Sequence, residues 1–331
     1  MFKVIVDSAA NIPAVIAEKY GIDVISFINN IEGKEVTCYD PALSPEQERE
    51  AGKRYYDEMR AGMSIKTGLI SIAEFTDHFS QAINEGLDVI YFTLSSGISG
   101  TRNSARLAAE DVMEDAPEGR VIRVIDTLNA SLAQGILAIY AAEMRDQGYS
   151  TNETADKLEA LVGCMNGIFT VGDLKYLAHT GRISKATALI GNTLNLKPIL
   201  RGDKEGHIVS YKKCRGRKSA LNALVNLVCE NIVDPENQII GIAHADAYED
   251  SLYVMEQIQE KIKVRGFINT SYDFCTGSHV GPDTVALFFL GKNRELEGSH
   301  ESLSAALLSL LDIIKKFSFD FLSENLIPVT V

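Results

Sequence analysis

The feature that most restricts this chain is the alternation of short β-branched runs with helical patterns through its first half. FKVIV (2–6), IDVISFI (22–28), DVIYFTL (88–94) and RVIRVID (120–126) read as strands, and 13–20, 72–85, 101–114 and 129–146 read as helices. Strands this apolar need cover on both faces, and their alternation with helices is the pattern of a parallel sheet flanked by crossover helices. Within this half, SPEQEREAGKRYYDEMRAG has Ser44 as N-cap, Pro45 at the first helical position and Gln47 two further on. That is a helix-start signature, and it falls in an insertion over about 33–62.

The second half changes character. IFTV (168–171), PIL (198–200), HIVSYKK (207–213), QIIGIAHA (238–245), INTSYDFC (268–275) and TVALFFL (284–290) read as strands. The close spacing of strands around Gly202 to Gly206 implies a hairpin, so this second sheet should be mixed. TNETADKLEALVGCM (151–165), capped by Thr151 or Asn152, is the expected crossing between halves. The expected architecture is α/β with two domains: an N-terminal parallel sheet flanked by helices over 1–155, and a C-terminal α/β domain with a mixed sheet over 156–291. A helical extension over 292–331 contains ESLSAALLSLLDIIKKF (301–317), apolar at helical spacing.

At 331 residues the chain can bury two cores of ordinary size. Its 32 Lys and Arg against 45 Asp and Glu leave a net charge of −13, which argues against a nucleic-acid partner. No stretch approaches the roughly 20 apolar residues of a membrane helix, and the first apolar run is too short for a signal peptide. The sequence therefore places the protein in the cytoplasm. Its five cysteines are scattered with no C-x-x-C pair, which suggests reduced thiols and neither a zinc site nor a disulfide framework.

Several catalytic signatures are missing. Gly-Lys at 33–34, 52–53 and 291–292 is followed by Glu, Arg and Asn, so there is no phosphate-binding P-loop. There is no H-E-x-x-H and no dinucleotide fingerprint after a strand, and Gly97-Ile98-Ser99-Gly100-Thr101 ends in Thr where a nucleophile elbow has Gly. Four strand ends instead carry small hydroxyls: Asp7-Ser8, Thr67-Gly68, Ser95-Ser96-Gly97 and Asp126-Thr127. Singly each is a turn or a helix cap; on one rim they make a set of donors for a carboxylate or phosphate.

Two further runs stand out. GDLKYLAHTGRIS (172–184) places Arg182 just past a helix stop at Gly181, either as an ordinary surface arginine or, with Lys212, Lys213, Arg215, Arg217 and Lys218, as part of a basic patch for an acidic partner or phosphate. CTGSHVGPDT (275–284) sets His279 between two strands, where it is either structural or turned toward a crevice. His78, His179, His207, His244 and His300 read as surface or loop residues without partners. A serine hydrolase or acyl transferase is one competing arrangement, with Ser96 or Ser95, His279, and Asp7 or Asp283; a regulatory interaction protein, for which the basic run 212–218 and the C-terminal helix are the hints, is the other.

Taken together, VDSAANIP, SSGISGTRNSA, VIDTLNASLAQG, GDLKYLAHTGRISKATALIGNTLNLKPIL, YKKCRGRKSA and GSHVGP resemble the DegV family, in family order over about residues 1–291. The resemblance implies a protein that binds one long-chain fatty acid such as palmitate, stearate or oleate, with no catalytic residue and no other cofactor. It implies a carboxylate held by Thr67, Ser95, Ser96 and the N–H of Gly97, with His279 orienting the hydroxyls and Ser8, Arg102 and Gly281 as further pocket residues. Some members serve a separate ATP-dependent fatty acid kinase as its binding subunit; Arg182, with Arg215 and Arg217, would then face that partner. Each buried methylene contributes roughly 0.8 kcal/mol, so an apolar tunnel supplies most of the affinity and the hydroxyls set direction. Thr67-Gly68-Leu69-Ile70 departs from the family's Thr-Ser-Gln-Pro, Arg102 from its Tyr, and Asp283 from the small residue after Gly-Pro.

Overall fold

A computed structural model of the chain describes residues 1–184, 195–294 and 305–317. Residues 185–194 of the GDLKYLAHTGRIS…KPIL run, His300, and the parts of the expected extension at 295–304 and 318–331 lie outside the described residues.

The chain runs β1 (Phe2–Asp7), α1 (Ala14–Tyr20), β2 (Ile22–Ile25), β3 (Ile28–Ile31), β4 (Lys34–Thr37), α2 (Pro45–Arg60), β5 (Ile65–Thr67), α3 (Ile72–Asn84), β6 (Asp88–Thr93), α4 (Thr101–Glu114), β7 (Ile122–Asp126) and α5 (Leu132–Asp146). It continues with α6 (Thr151–Glu159), β8 (Met165–Thr170), α7 (Lys175–His179), β9 (Leu196–Gly202), β10 (Ile208–Arg215), α8 (Arg217–Asn231), β11 (Ile239–Ala245), α9 (Tyr248–Gln259), β12 (Gly266–Ser271), α10 (Phe274–Val280), β13 (Thr284–Leu290) and α11 (Ala305–Ile314).

The first sheet has the order β2-β1-β6-β7 and is parallel throughout. The run expected as one strand over 22–28 divides, because β3 leaves for a small antiparallel sheet of order β4-β3-β5. The break is held by hydroxyls: Ser26 Oγ accepts the N–H of Cys38 and Tyr39, and Ser8 Oγ accepts that of Phe27. The insertion expected as helical therefore contributes a strand before its helix. That helix starts as its sequence implies, with Ser44 and Gln47 closing a capping box. In α6 the cap is Ser150, one residue earlier than expected, boxed with Glu153.

The second sheet is mixed, in the order β10-β9-β8-β13-β11-β12, with β11 and β12 parallel and the other pairs antiparallel. The β9–β10 hairpin falls where Gly202 to Gly206 put it. INTSYDFC does not extend to Cys275 as a strand: Asp273 accepts the N–H of Thr276 and Cys275 and so begins α10.

Helix α5 lies between the two sheets, touching β1, β2 and β6 of the first and β8, β11 and β13 of the second. A helix there must bury every face, and LAQGILAIYAA does: every residue from Leu132 to Ala142 is buried. The one strongly polar member of that stretch, Gln134, donates through Nε2 to the Phe92 carbonyl at 2.7 Å. Strand alternation completes the layers. Val4, Val6, Ile90 and Phe92 face α5 in one cluster, while Ile5, Val89 and Tyr91 face Phe75, Phe79 and Ala105 on α3 and α4. In the second sheet, Ile240, Ile242, Leu287 and Phe289 turn outward onto Leu221, Leu224, Val254 and Ile258 of α8 and α9.

The second sheet comes close to α5 at Gly241 on β11, where a Cβ would stand 2.8 Å from Leu132 Cβ and 3.2 Å from Ile136 Cδ1. Gly241→Ala is therefore expected to destabilise the protein by about 1–3 kcal/mol, through a shift of α5 off the second sheet. The check is a lower urea midpoint at an unchanged slope.

Candidate functional site

A cavity enclosing about 910 Å³, part of it open to solvent, lies where the end of β5, the loops before α4 and α5, the β9–β10 hairpin, α7 and α10 meet. Much of its wall is apolar, with Phe27, Leu69, Leu94, Ile98, Leu128, Phe169, Leu177, Ile208, Val280 and Phe288. Its ionisable or hydroxyl-bearing lining residues include Thr67, Ser99, Ser131, Arg182, Tyr272, Thr276 and His279.

Helix α10 is the element that carries His279, and it is fixed from several directions. The Asp273 carboxylate caps it and also accepts from Ser8 Oγ at 3.3 Å and Asn11 Nδ2 at 3.2 Å. The Phe274 carbonyl accepts from Asn29 Nδ2 at 2.8 Å and Tyr55 Oη at 2.7 Å, and the Tyr55 ring stacks on Phe274. Strand β3 and the inserted helix α2 thus clamp the helix that faces the cavity. His279 Nε2 lies 3.3 Å from Thr67 Oγ1, so the two residues expected at the head group meet, although His279 sits on a helix and Thr67 on the small antiparallel sheet. Burial pushes the His279 imidazole down to about 4, and the Arg182 guanidinium adds to this. The ring is neutral at neutral pH and presents one N–H and one lone pair.

Arg182 itself was expected on a partner-facing surface. It is half-buried and lines the cavity, anchored through Nη1 to the Thr180 carbonyl at 2.5 Å, because the turn after α7 folds back toward α10.

The Ser95-Ser96-Gly97 rim is organised otherwise. Ser95 Oγ donates to the Gly206 carbonyl at 2.9 Å and accepts the Gly97 N–H at 3.1 Å, so both expected donors are engaged with each other and with the hairpin. A Cβ on Gly206 would stand 2.0 Å from Ser95 Oγ, and φ there is +77°. Only glycine allows this contact. Ser96 is exposed and its N–H bonds Asp126 Oδ1. None of the three is among the residues lining the cavity. The remaining strand ends are also committed: Ser8 Oγ to Asp273, and Thr127 Oγ1 to the Thr93 carbonyl at 2.9 Å. Thr67 is the member of the set whose hydroxyl faces the cavity.

The hydrolase arrangement does not assemble. His279 Nδ1 has no hydrogen-bond partner and Nε2 meets Thr67; Asp7 is buried against Tyr91 Oη at 2.7 Å, and Asp283 is exposed on Arg60. Arg102 is part-exposed beside Asp126 at 3.7 Å, and Gly281 ends α10 behind the Tyr176 ring, so neither reaches the cavity wall. Arg215 is exposed at the end of β10, while Arg217 pairs with Asp250 at 2.7 Å. Among the described residues, no group of His, Cys, Asp or Glu has the arrangement of a metal site.

A family model described as "Uncharacterised protein, DegV family" matches residues 1–292. The chain belongs to the DegV family. A DegV domain-containing protein of Clostridium perfringens is 34% identical over 295 residues, covering 89% of this chain and 99% of the relative. A Thermotoga maritima protein named as a fatty acid-binding protein is 33% identical over 289 residues, 86% of this chain and 95% of its own. The crystal structure of a DegV lipid binding protein from Thermotoga maritima superposes with a TM-score of 0.75 at 29% identity, covering 89% of this chain and all of that one. The mixed α/β architecture is thus the DegV fold.

Two residues of this DegV chain were not singled out from sequence. His244, expected at the surface, is buried on β11, where burial and then Arg49 push it down to about 4. Ser131, a lining residue whose hydroxyl oxygen is itself buried, sits in a run that reads only as a helix start. No helix among the described residues is long and apolar enough to cross a membrane.

The lowered His279 value has a definite sign in stability. An unfolded imidazole takes a proton near 6.5 and the folded one near 4, so this contribution to stability is present above about pH 6.5 and is lost as pH falls toward 4. A histidine ring-proton NMR titration should give a value near 4, and Arg182→Gln should raise it; a normal value in the intact protein contradicts the burial argument.

Proposed function

We propose that this protein binds a single long-chain fatty acid, of the palmitate, stearate or oleate class, with its acyl chain in the apolar cavity and its carboxylate at the Thr67–His279–Arg182 end. The observation that carries this reading is the pairing of that polar trio with a wall of Leu, Ile and Phe in one cavity. Ten buried methylenes contribute roughly 8 kcal/mol before ordering costs, enough for the chain to dominate affinity. A neutral His279 that donates through Nε2–H to Thr67 Oγ1 leaves the Thr67 hydroxyl hydrogen to donate to a carboxylate, and Arg182 supplies the charge that offsets its desolvation. The naming of a one-third-identical relative as a fatty acid-binding protein supports the same ligand class.

In this reading the protein is a carrier that presents the carboxylate to a separate ATP-dependent kinase for acyl-phosphate formation, and Arg215 with exposed Lys212 and Lys213 offers the basic contact. Native mass spectrometry of protein purified from bacteria should show one added mass in the fatty-acid range. Thr67→Val and His279→Ala should each weaken oleate binding about ten-fold, the worth of one hydrogen bond to a charged group. A homogeneous apo protein that binds neither oleate nor palmitate overturns the reading. ATP-dependent acyl phosphate should form only on addition of a kinase, and Arg215→Ala should weaken kinase capture while lipid is retained.

A further inference from the structure

The second sheet supplies one wall of the cavity, and its register shows where that wall ends. Alternate residues of a strand share a face, and on the face turned toward α5 the cavity is lined by Gly167 and Phe169 of β8 and by Phe288 of β13. Phe288 is the direct partner of Gly167. The next pair on that face, Met165 with Leu290, is buried at 0% and 1% exposure and does not line the cavity. Along these two strands the cavity therefore stops at Gly167 and Phe288.

At that pair one side chain occupies the space the other lacks. A Cβ on Gly167 would stand 3.2 Å from both Cδ1 and Cε1 of Phe288 and 2.7 Å from Asn129 Oδ1. The glycine thus lets the Phe288 ring lie across β8. Asn129, on the other side of that space, is tied through Nδ2 to the Met165 carbonyl at 2.8 Å. The ring is 5% exposed and closely packed, so it is a firm surface.

The polar end of the cavity lies at the opposite ends of the same strands. Thr284 Oγ1 donates to the Val280 and Gly281 carbonyls, so β13 begins against the last turn of α10, which carries His279. Thr170, paired with Val285, ends β8 there, and the chain passes from it into α7 and Arg182. From Thr284 to Phe288 is four residues, roughly 13 Å of strand.

We propose that Phe288 is the residue that sets acyl-chain length: its ring, laid over Gly167, is the stop against which the terminal methyl of the bound fatty acid rests. The inference rests on the fatty-acid reading of the cavity. A longer chain must displace the ring from its seat or leave methylenes in water, and a shorter one leaves apolar wall uncovered. Phe169 lies on the same face one pair nearer the polar end, so it borders the side of the chain and not its tip.

The test measures binding of saturated acids from decanoate to docosanoate to the intact protein, to Phe288→Leu and to Phe169→Leu. In Phe288→Leu the optimum is expected to move to a longer acid, with the one that is two carbons longer gaining about ten-fold over the original best binder. Phe169→Leu should weaken the whole series and leave the optimum in place. A second measurement needs no substitution: a palmitate analogue with a diazirine at its terminal carbon, photolysed in the intact protein, should label Phe288 or the adjoining residues of β8 and β13. Labelling confined to other walls of the cavity, or an optimum that moves equally in both variants or in neither, overturns the inference while the fatty-acid reading stands. If no acid of the series binds the intact protein, the fatty-acid reading itself fails and the inference with it.

Discussion

Everything in this molecule depends on α5 being buried on every side. A helix packed between two sheets has no solvent face on which to place polar residues, and its neighbours must approach closely enough to leave no voids. The chain meets this with alanines and glycine along the helix, with Gly241 beneath Leu132, and with one internal polar tie from Gln134 to the first sheet. The two sheets share a single central core as a result, and the loop that starts α5 is held at the junction between them.

That junction is where the cavity forms. The loop 94–97 from the first sheet and the β9–β10 hairpin from the second meet through Ser95 and Gly206, while the Ser95 N–H bonds the Asn129 carbonyl just before α5. These contacts bridge the two sheets beside an apolar space and leave that space unfilled. Helix α2 and the small sheet strands β3 and β5 then pack from a third direction, and the contacts of Tyr55 and Asn29 with Phe274 fix the tilt of α10. Arg60 of α2 reaches Asp246 and Asp283 at loops of the second sheet, a surface network whose energetic contribution is small but whose geometry agrees with the clamp.

Much of the fold is legible in the sequence because it rests on local rules. β1, β6 and β7, the Ser44 capping box and the β9–β10 hairpin follow from periodicity and turn chemistry. The departures come where a tertiary partner decides. Ser26 and Ser8 capture backbone N–H groups and split β2 from β3; Asp273 turns an apparent strand into a helix. The site was legible in residue type more than in role. Thr67 and His279 meet in the cavity, but the serines of SSGISG resemble free donors in sequence only because the Gly206 carbonyl, more than one hundred residues away, is invisible there. Ser131 is the reverse case: the helix read over 129–146 includes it, whereas the structure places it before the helix at a positive φ with no side-chain cap bond.

Charge separates the local site from the whole. A net charge of −13 disfavours an anion over most of the surface, yet screening at physiological salt limits that field to about 8 Å. Inside the cavity the near charge is Arg182, whose influence is registered by the depressed His279 imidazole. A second cation there would have been the costlier arrangement, since two like charges in a partly desolvated space repel. A neutral imidazole beside one guanidinium keeps a single positive charge at that end of the cavity, with the ring in contact with the Thr67 hydroxyl.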